Sequence, residues 1–206
     1  MTFLIFFDIL DVAFGLSWQI YVIGMKMGNI SRKQLLSAAR RVRLLILDVD
    51  GVLTDGSIVL DNDGNELKTF HVRDGHGIRL LLKADIHVAL ITGRFSRIVE
   101  RRAHELGIRE VYQKCFDKAA AYKQLAEKYS LSDREIAYVG DDIVDIPVLR
   151  RCGLSVAVAD AEAGVRPFVK MITKEGGGRG AVREVCNLLL QAKGLWKDII
   201  NEYSQT

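Results

Sequence analysis

The runs LLILD (Leu44–Asp48), HVALITG (His87–Gly93), EIAYVGDD (Glu135–Asp142) and LSVAVAD (Leu154–Asp160) are apolar along nearly their whole length, and each stops in acids, a hydroxyl or a glycine. A strand with one wet face alternates, so runs of this kind are buried on both faces, as in a parallel sheet. Helix-period segments separate them. Ser31 can cap SRKQLLSAARR, with Leu35, Leu36 and Ala39 on one face. SRIVERRAHELG repeats Ile98, Val99, Ala103 and Leu106 before a Gly107 cap. Asp117 caps DKAAAYKQLAEKY, and AVREVCNLLLQAK keeps Val182, Val185, Cys186 and Leu189 in register. GIRLLLKAD and DIVDIPVLRRCG read as further helices, REVYQ and FVKMIT as further strands, and SIVLDNDGNELKTFHV as a β-hairpin around an Asn-Asp-Gly turn. The alternation predicts an α/β fold with a doubly wound parallel sheet and a small hairpin insertion.

Charge narrows the partners. The 206 residues hold 29 basic and 26 acidic side chains, a net charge of +3, with no basic stripe interleaved with aromatics, so nucleic acid is not an expected partner. RRVR and RIVERR read as solvated helix faces. Cys115, Cys152 and Cys186 are odd in number and widely spaced, which fits neither a disulfide framework nor a zinc site and points to a reducing, cytoplasmic location. Residues 1–28 form an apolar extension ahead of a domain over 29–206. No basic residue precedes Lys26, unlike a signal peptide. The uncharged stretch Val12–Met25 is short beside the ~20 residues of a membrane span. Three readings stay open: a packing or membrane-surface helix, a weak anchor, or a start assigned too early, with Met25 or Met27 as the first residue.

In a doubly wound sheet, ligands bind beyond the carboxyl ends of the strands. Those ends hold Asp48 with Asp50 two residues on, Thr92-Gly93-Arg94, and Asp141-Asp142 with Asp145 following; Lys118 opens a helix just after a short strand. Several carboxylates at one edge call for a divalent cation, and an all-oxygen set favours magnesium. Cation, hydroxyl, backbone N–H groups and lysine together suit a phosphoryl group. One carboxylate can act as nucleophile and a second as acid and base. Asp55 in TDGS reads as a turn residue, and DNDG as a hairpin turn.

DVDGVLTDG, ITGR, DK and VGDDIVD resemble the four motifs of the haloacid dehalogenase superfamily of phosphohydrolases. HVRDGHGIRLL, ITGRFSRIVERRAHELGI, GLSVAVADA and GGRGAVREVCNLLL extend the resemblance, over residues 31–193, to its lidless branch acting on phosphorylated octulosonates, sugar acids of Gram-negative lipopolysaccharide. The resemblance implies Asp48 as nucleophile, Asp50 as acid/base, and Thr92 and Lys118 as phosphoryl ligands. Magnesium would be held by Asp48, the Asp50 carbonyl and Asp141, supported by Asp142 and Asp145. Gly51 and Gly93 would let the backbone approach phosphate. Arg94 would clamp the substrate carboxylate, Arg73 and Asp74 would lie beside the pocket, and Arg179, in the flexible Gly176–Gly180 segment, would reach the sugar acid across a subunit interface. Only the hairpin lies between the first two motifs, so no separate cap domain is expected. The resemblance implies a homotetramer whose neighbours wall each site. Lys114 departs from the family pattern, which has glycine there.

Other readings stay open. A related nonulosonate 9-phosphate is the neighbouring substrate class, although that subfamily carries an acid where this chain has Arg94. A phospho-accepting switch does not need the second aspartate of DVDG. A catalytically idle interaction module does not need the intact Lys118 and GDD.

Overall fold

The computed structural model of the chain describes residues 26–27 and 30–205. Its strands are β1 (Lys26–Met27), β2 (Leu44–Leu47), β3 (Val59–Leu60), β4 (Glu66–Leu67), β5 (His87–Ile91), β6 (Glu110–Tyr112), β7 (Ile136–Gly140), β8 (Leu154–Ala157) and β9 (Met171–Ile172). The helices are α1 (Arg32–Arg41), α2 (Val72–Lys83), α3 (Arg97–Leu106), α4 (Lys118–Lys128), α5 (Ile146–Leu149), α6 (Ala181–Ala192) and α7 (Trp196–Ser204). Seven strands form one sheet in the order β1-β9-β8-β7-β2-β5-β6, parallel except for β1. β3 and β4 form the separate hairpin.

β2 is the hub, with β5 on one edge and β7 on the other. Its four side chains are fully buried, each contributing roughly 1.5–3 kcal/mol of burial free energy. The chain leaves β2 toward β5 and β6, then crosses back to β7 and β8. Strand order therefore reverses at β2, and the reversal opens a crevice beyond its carboxyl end.

Helices α1 and α2 both pack against α6, and α4 packs on α5. Ser31 and Gln34 complete the capping box of α1, and the Asp117 carboxylate accepts the Ala120 N–H at 3.0 Å to cap α4. Cys186 is fully buried where α6 meets α2. Glycine at position 77 makes that approach possible: a Cβ there would stand 3.0 Å from the Cys186 Cβ and 3.2 Å from its Sγ.

Several elements differ from the expectation. The helix expected from DIVDIPVLRRCG is a 3₁₀ turn over Ile143–Asp145 followed by a single turn of α-helix, with Pro147 in its first positions. The strand in FVKMIT shrinks to Met171–Ile172, because Pro167 and Phe168 belong to a 3₁₀ segment. The α7 helix, absent from the expectation, is tied to α2 by a Lys83–Glu202 ion pair and a 3.1 Å contact between His76 Nε2 and the Tyr203 hydroxyl. Lys26 and Met27 join the sheet as its edge strand, although they precede residue 29; the rest of the apolar extension lies outside the described residues. Among the described residues, no helix is long and apolar enough to cross a membrane.

Gly77→Val overpacks the α2–α6 seam. It should destabilise the protein by about 1–3 kcal/mol, read as a lower Tm, and a compensating Cys186→Ala should recover part of the loss.

Candidate active site

Asp48 follows β2 directly and is locked to the sheet, its N–H donating to the Val139 carbonyl at 3.0 Å. One carboxylate oxygen accepts the Val49 N–H at 2.7 Å. The other accepts Lys118 Nζ at 2.7 Å. Lys118 is the first residue of α4 and is only 5% exposed. The same ammonium donates to Asp145 Oδ1 at 2.7 Å. Asp145 is fully buried and saturated. Its Oδ1 also accepts the Tyr138 hydroxyl at 2.6 Å, while Oδ2 accepts the N–H groups of Asp141 and Asp142 at 3.0 and 3.3 Å.

Asp48, Asp141 and Asp145 each bring a carboxylate oxygen to within 4.8 Å of the others. Burial foremost, then Asp48 and Asp145, pushes the Asp141 carboxyl up to about 7. Burial likewise raises Asp48 to about 6, because Lys118 offsets only part of that penalty. Burial works against the charge of Lys118, but Asp48 and Asp145 outweigh it and hold the ammonium above its ordinary range. Burial, then Asp145, keeps the Tyr138 phenol protonated.

Asp141 Oδ1 is buried without a hydrogen-bond partner among the described residues. Three acids around one ammonium leave excess negative charge, and the donors are all oxygen, so the cluster fits a hard divalent cation. Asp48 and Asp141 have the capacity to hold one; Asp145 already accepts four hydrogen bonds. Gly51, at φ +85°, admits this arrangement: a Cβ there would lie 2.1 Å from Asp141 Oδ2. The space beside Gly51 is thus taken by a carboxylate, whereas that beside Gly93 is open.

Thr92 directly follows β5, is 2% exposed, and accepts the Arg94 N–H at 3.3 Å. Asp50 sits at the mouth, accepting from Lys68 and lying 3.9 Å from Arg94 Nε. Arg94 is half-exposed and donates to Glu66 at 3.0 Å. Asp142 is exposed and caps the turn over Ile143–Asp145.

Three expected residues make no hydrogen bond or ion pair with Asp48, Asp50 or Asp141 among the described residues. Asp74 is buried and accepts the Arg183 N–H at 2.7 Å, joining α2 to the start of α6. Arg73 and Arg179 line a separate cavity of about 250 Å³ with His71 and Arg183. The glycine segment before α6 packs on the loop after β2: Gly178 N–H donates to the Val52 carbonyl at 2.9 Å, and Gly177 N–H to Asp160 at 2.9 Å. Lys114 adopts φ +53°, the left-handed region, which costs a side-chain-bearing residue roughly 1–2 kcal/mol and accounts for a glycine in the family pattern. Its ammonium lies over the Phe95 ring, 5.1 Å from the centroid, which offsets part of that.

Sequence reasoning missed Tyr138, Glu66 and Lys68. A tyrosine inside an otherwise apolar strand was a signal, since a buried hydroxyl needs a partner. Glu66 and Lys68 fall within the expected hairpin segment, which gave no reason to single them out.

The comparisons fall in line with this geometry. Residues 105–183 match the model of the haloacid dehalogenase-like hydrolases. Over 160 residues the chain is 53% identical to the 3-deoxy-D-manno-octulosonate 8-phosphate phosphatase KdsC of Escherichia coli K12, covering 78% of this chain and 85% of that protein. The chain belongs to the 3-deoxy-D-manno-octulosonate 8-phosphate phosphatase family. The crystal structure of the Yersinia pestis member of that phosphatase family aligns with a TM-score of 0.79 at 49% identity, covering 80% of this chain and 89% of that one. A Moraxella catarrhalis phosphatase of the family, crystallised with magnesium, phosphate and KDO, aligns with a TM-score of 0.82 at 38% identity, covering 84% and 99%.

Without a cation, folded Asp48 and Asp141 keep their protons up to about pH 6 and 7, whereas an unfolded aspartate releases its proton near 3.8. Between those limits the folded state binds more protons, so stability falls as pH rises. Thermal melts in EDTA should give a lower Tm at about pH 7.5 than at about pH 5, and a divalent cation should raise Tm more at the higher pH; the reverse order would contradict the site.

Proposed function

We propose that the chain is a magnesium-dependent phosphatase converting 3-deoxy-D-manno-octulosonate 8-phosphate to the free sugar acid and phosphate through an aspartyl-phosphate. The observation that carries this is the Asp48–Lys118–Asp145 group beside the orphaned Asp141 oxygen. Asp48 is the nucleophile. Its oxygen bonds to phosphorus as the ester P–O bond breaks, and Asp50 gives its proton to the departing sugar oxygen. Asp50 then takes a proton from the water that attacks phosphorus, which releases phosphate and regenerates Asp48. Lys118 and the Thr92 hydroxyl hold the phosphoryl oxygens, and Gly93 leaves room for them. Asp48, the Asp50 carbonyl and Asp141 hold magnesium, which when bound neutralises the charge shared by carboxylates and phosphate. Asp142 and Asp145 support that set from behind. Arg94 pairs with the sugar carboxylate, an arrangement that disfavours the related nonulosonate 9-phosphates.

The assembly is a homotetramer in the cytoplasm. Ile58, Val59, Leu60 and Leu67 are 48–60% exposed on one hairpin, an apolar patch that suits burial against further copies. Neighbouring subunits then wall the open site, and the exposed Arg179 reaches a sugar acid at such an interface, with Arg73 and Asp74 behind it.

Phosphate release from a panel of sugar phosphates is the test. The octulosonate 8-phosphate should give the highest kcat/KM, EDTA should abolish turnover, and Asp48→Asn should lower kcat by at least ~10³-fold while binding persists. Full activity in Asp48→Asn would refute the aspartyl-phosphate route. In sedimentation, Leu60→Glu should shift a tetramer toward smaller species and lower turnover with it.

A further inference from the structure

A lysine with a nearly fully buried head reaches the site from the hairpin rather than from the sheet. The Lys68 side chain is 1% exposed, and its ammonium contacts Asp50 Oδ1 and lies 3.4 Å from Glu66 Oε1. A buried ammonium is tolerated only when paired, and these two acids supply the pairing. The pleat explains the placement. Glu66 and Lys68, two residues apart, point to one face of β4 and its continuation, while Leu67 between them points out to solvent, 57% exposed. Arg94 closes the chain of charges by donating to Glu66 at 3.0 Å.

We infer that Lys68 is a positioning residue that sets the orientation of the Asp50 carboxyl, so that the hairpin takes the place of a cap domain in aligning the acid/base group. The inference rests on the reading of Asp50 as that group. Asp50 lies on a loop, and 24% of its side chain is open to solvent, so the backbone alone leaves its carboxyl free to rotate. With Oδ1 held by Lys68, Oδ2 is the oxygen left to meet the leaving group and then water; Arg94 Nε lies 3.9 Å from it, beyond hydrogen-bonding distance. Glu66 holds Lys68 from the other side and links it to Arg94, so the group proposed to bind the substrate carboxylate and the group that orients the acid share one carboxylate.

The test compares Lys68→Met and Lys68→Arg with the parent enzyme, in magnesium, on 3-deoxy-D-manno-octulosonate 8-phosphate and on p-nitrophenyl phosphate, whose leaving group departs without a proton. Lys68→Met should lower kcat on the sugar phosphate by about 10–100-fold with little change in KM, and Lys68→Arg should recover most of the loss. On p-nitrophenyl phosphate, Lys68→Met should keep a fast first turnover, seen as a burst of nitrophenolate, and then slow, because water activation still needs Asp50. A Lys68→Met kcat within about twofold of the parent would overturn the inference. So would equal loss of the first turnover on both substrates, which marks general damage to the site. Asp50→Asn, measured alongside, separates the two levels: if it retains full turnover, the assignment of Asp50 fails and the role of Lys68 fails with it. If Asp50→Asn is inactive while Lys68→Met matches the parent, only the role of Lys68 is overturned.

Discussion

Lys118 carries a positive charge to a place that is only 5% exposed, and the acids around it are arranged by that charge. Asp48 and Asp145 each accept from it at 2.7 Å, although one follows β2 and the other lies beyond β7. Without the ammonium, two carboxylates in this crevice would repel each other and shed their charge. Without the acids, the ammonium would stand unpaired in the interior, at a penalty of several kcal/mol. The surrounding structure serves this exchange: Asp117 caps the helix that presents Lys118, Tyr138 donates to Asp145 from inside the sheet, and the start of the 3₁₀ turn aims two N–H groups at the same carboxylate.

One acid falls outside the arrangement. Asp141 is raised to about 7 by burial and its neighbours, and its Oδ1 has no partner among the described residues. A group in that state prefers either a proton or a cation. The site is therefore incomplete as a purely protein structure, and this is the physical basis for a magnesium-dependent reaction, with the charge already poised for a phosphoryl group.

Much of this was legible along the chain. Continuous apolar runs marked the buried strands, and their ends marked the edge where chemistry gathers. Asp48, Thr92, Lys118 and Asp141 could be named because each sits at an element boundary with its own local signature. Asp55 reads as a turn residue, and its carboxylate indeed accepts the Ser57 N–H at 3.0 Å. Glu66 and Lys68 carried no such signature. On a two-residue strand they look like ordinary polar surface, and their role depends on which way the hairpin folds over the crevice. Asp74 could be named only through the resemblance, which places it beside the pocket and says nothing of its hydrogen bond to the start of α6.

The sequence by itself determined the fold class and the strand-end acids, because burial on both faces and the breaks that end it are written in local composition. The tertiary structure decided which acids share a proton donor, which one is left for a cation, and which lysine faces Asp50. Those are matters of a few ångströms between residues far apart in the chain. Only the pairing of β2 with β5 and β7, the reach of the hairpin to Asp50 and Arg94, and the packing of the glycine segment set such distances.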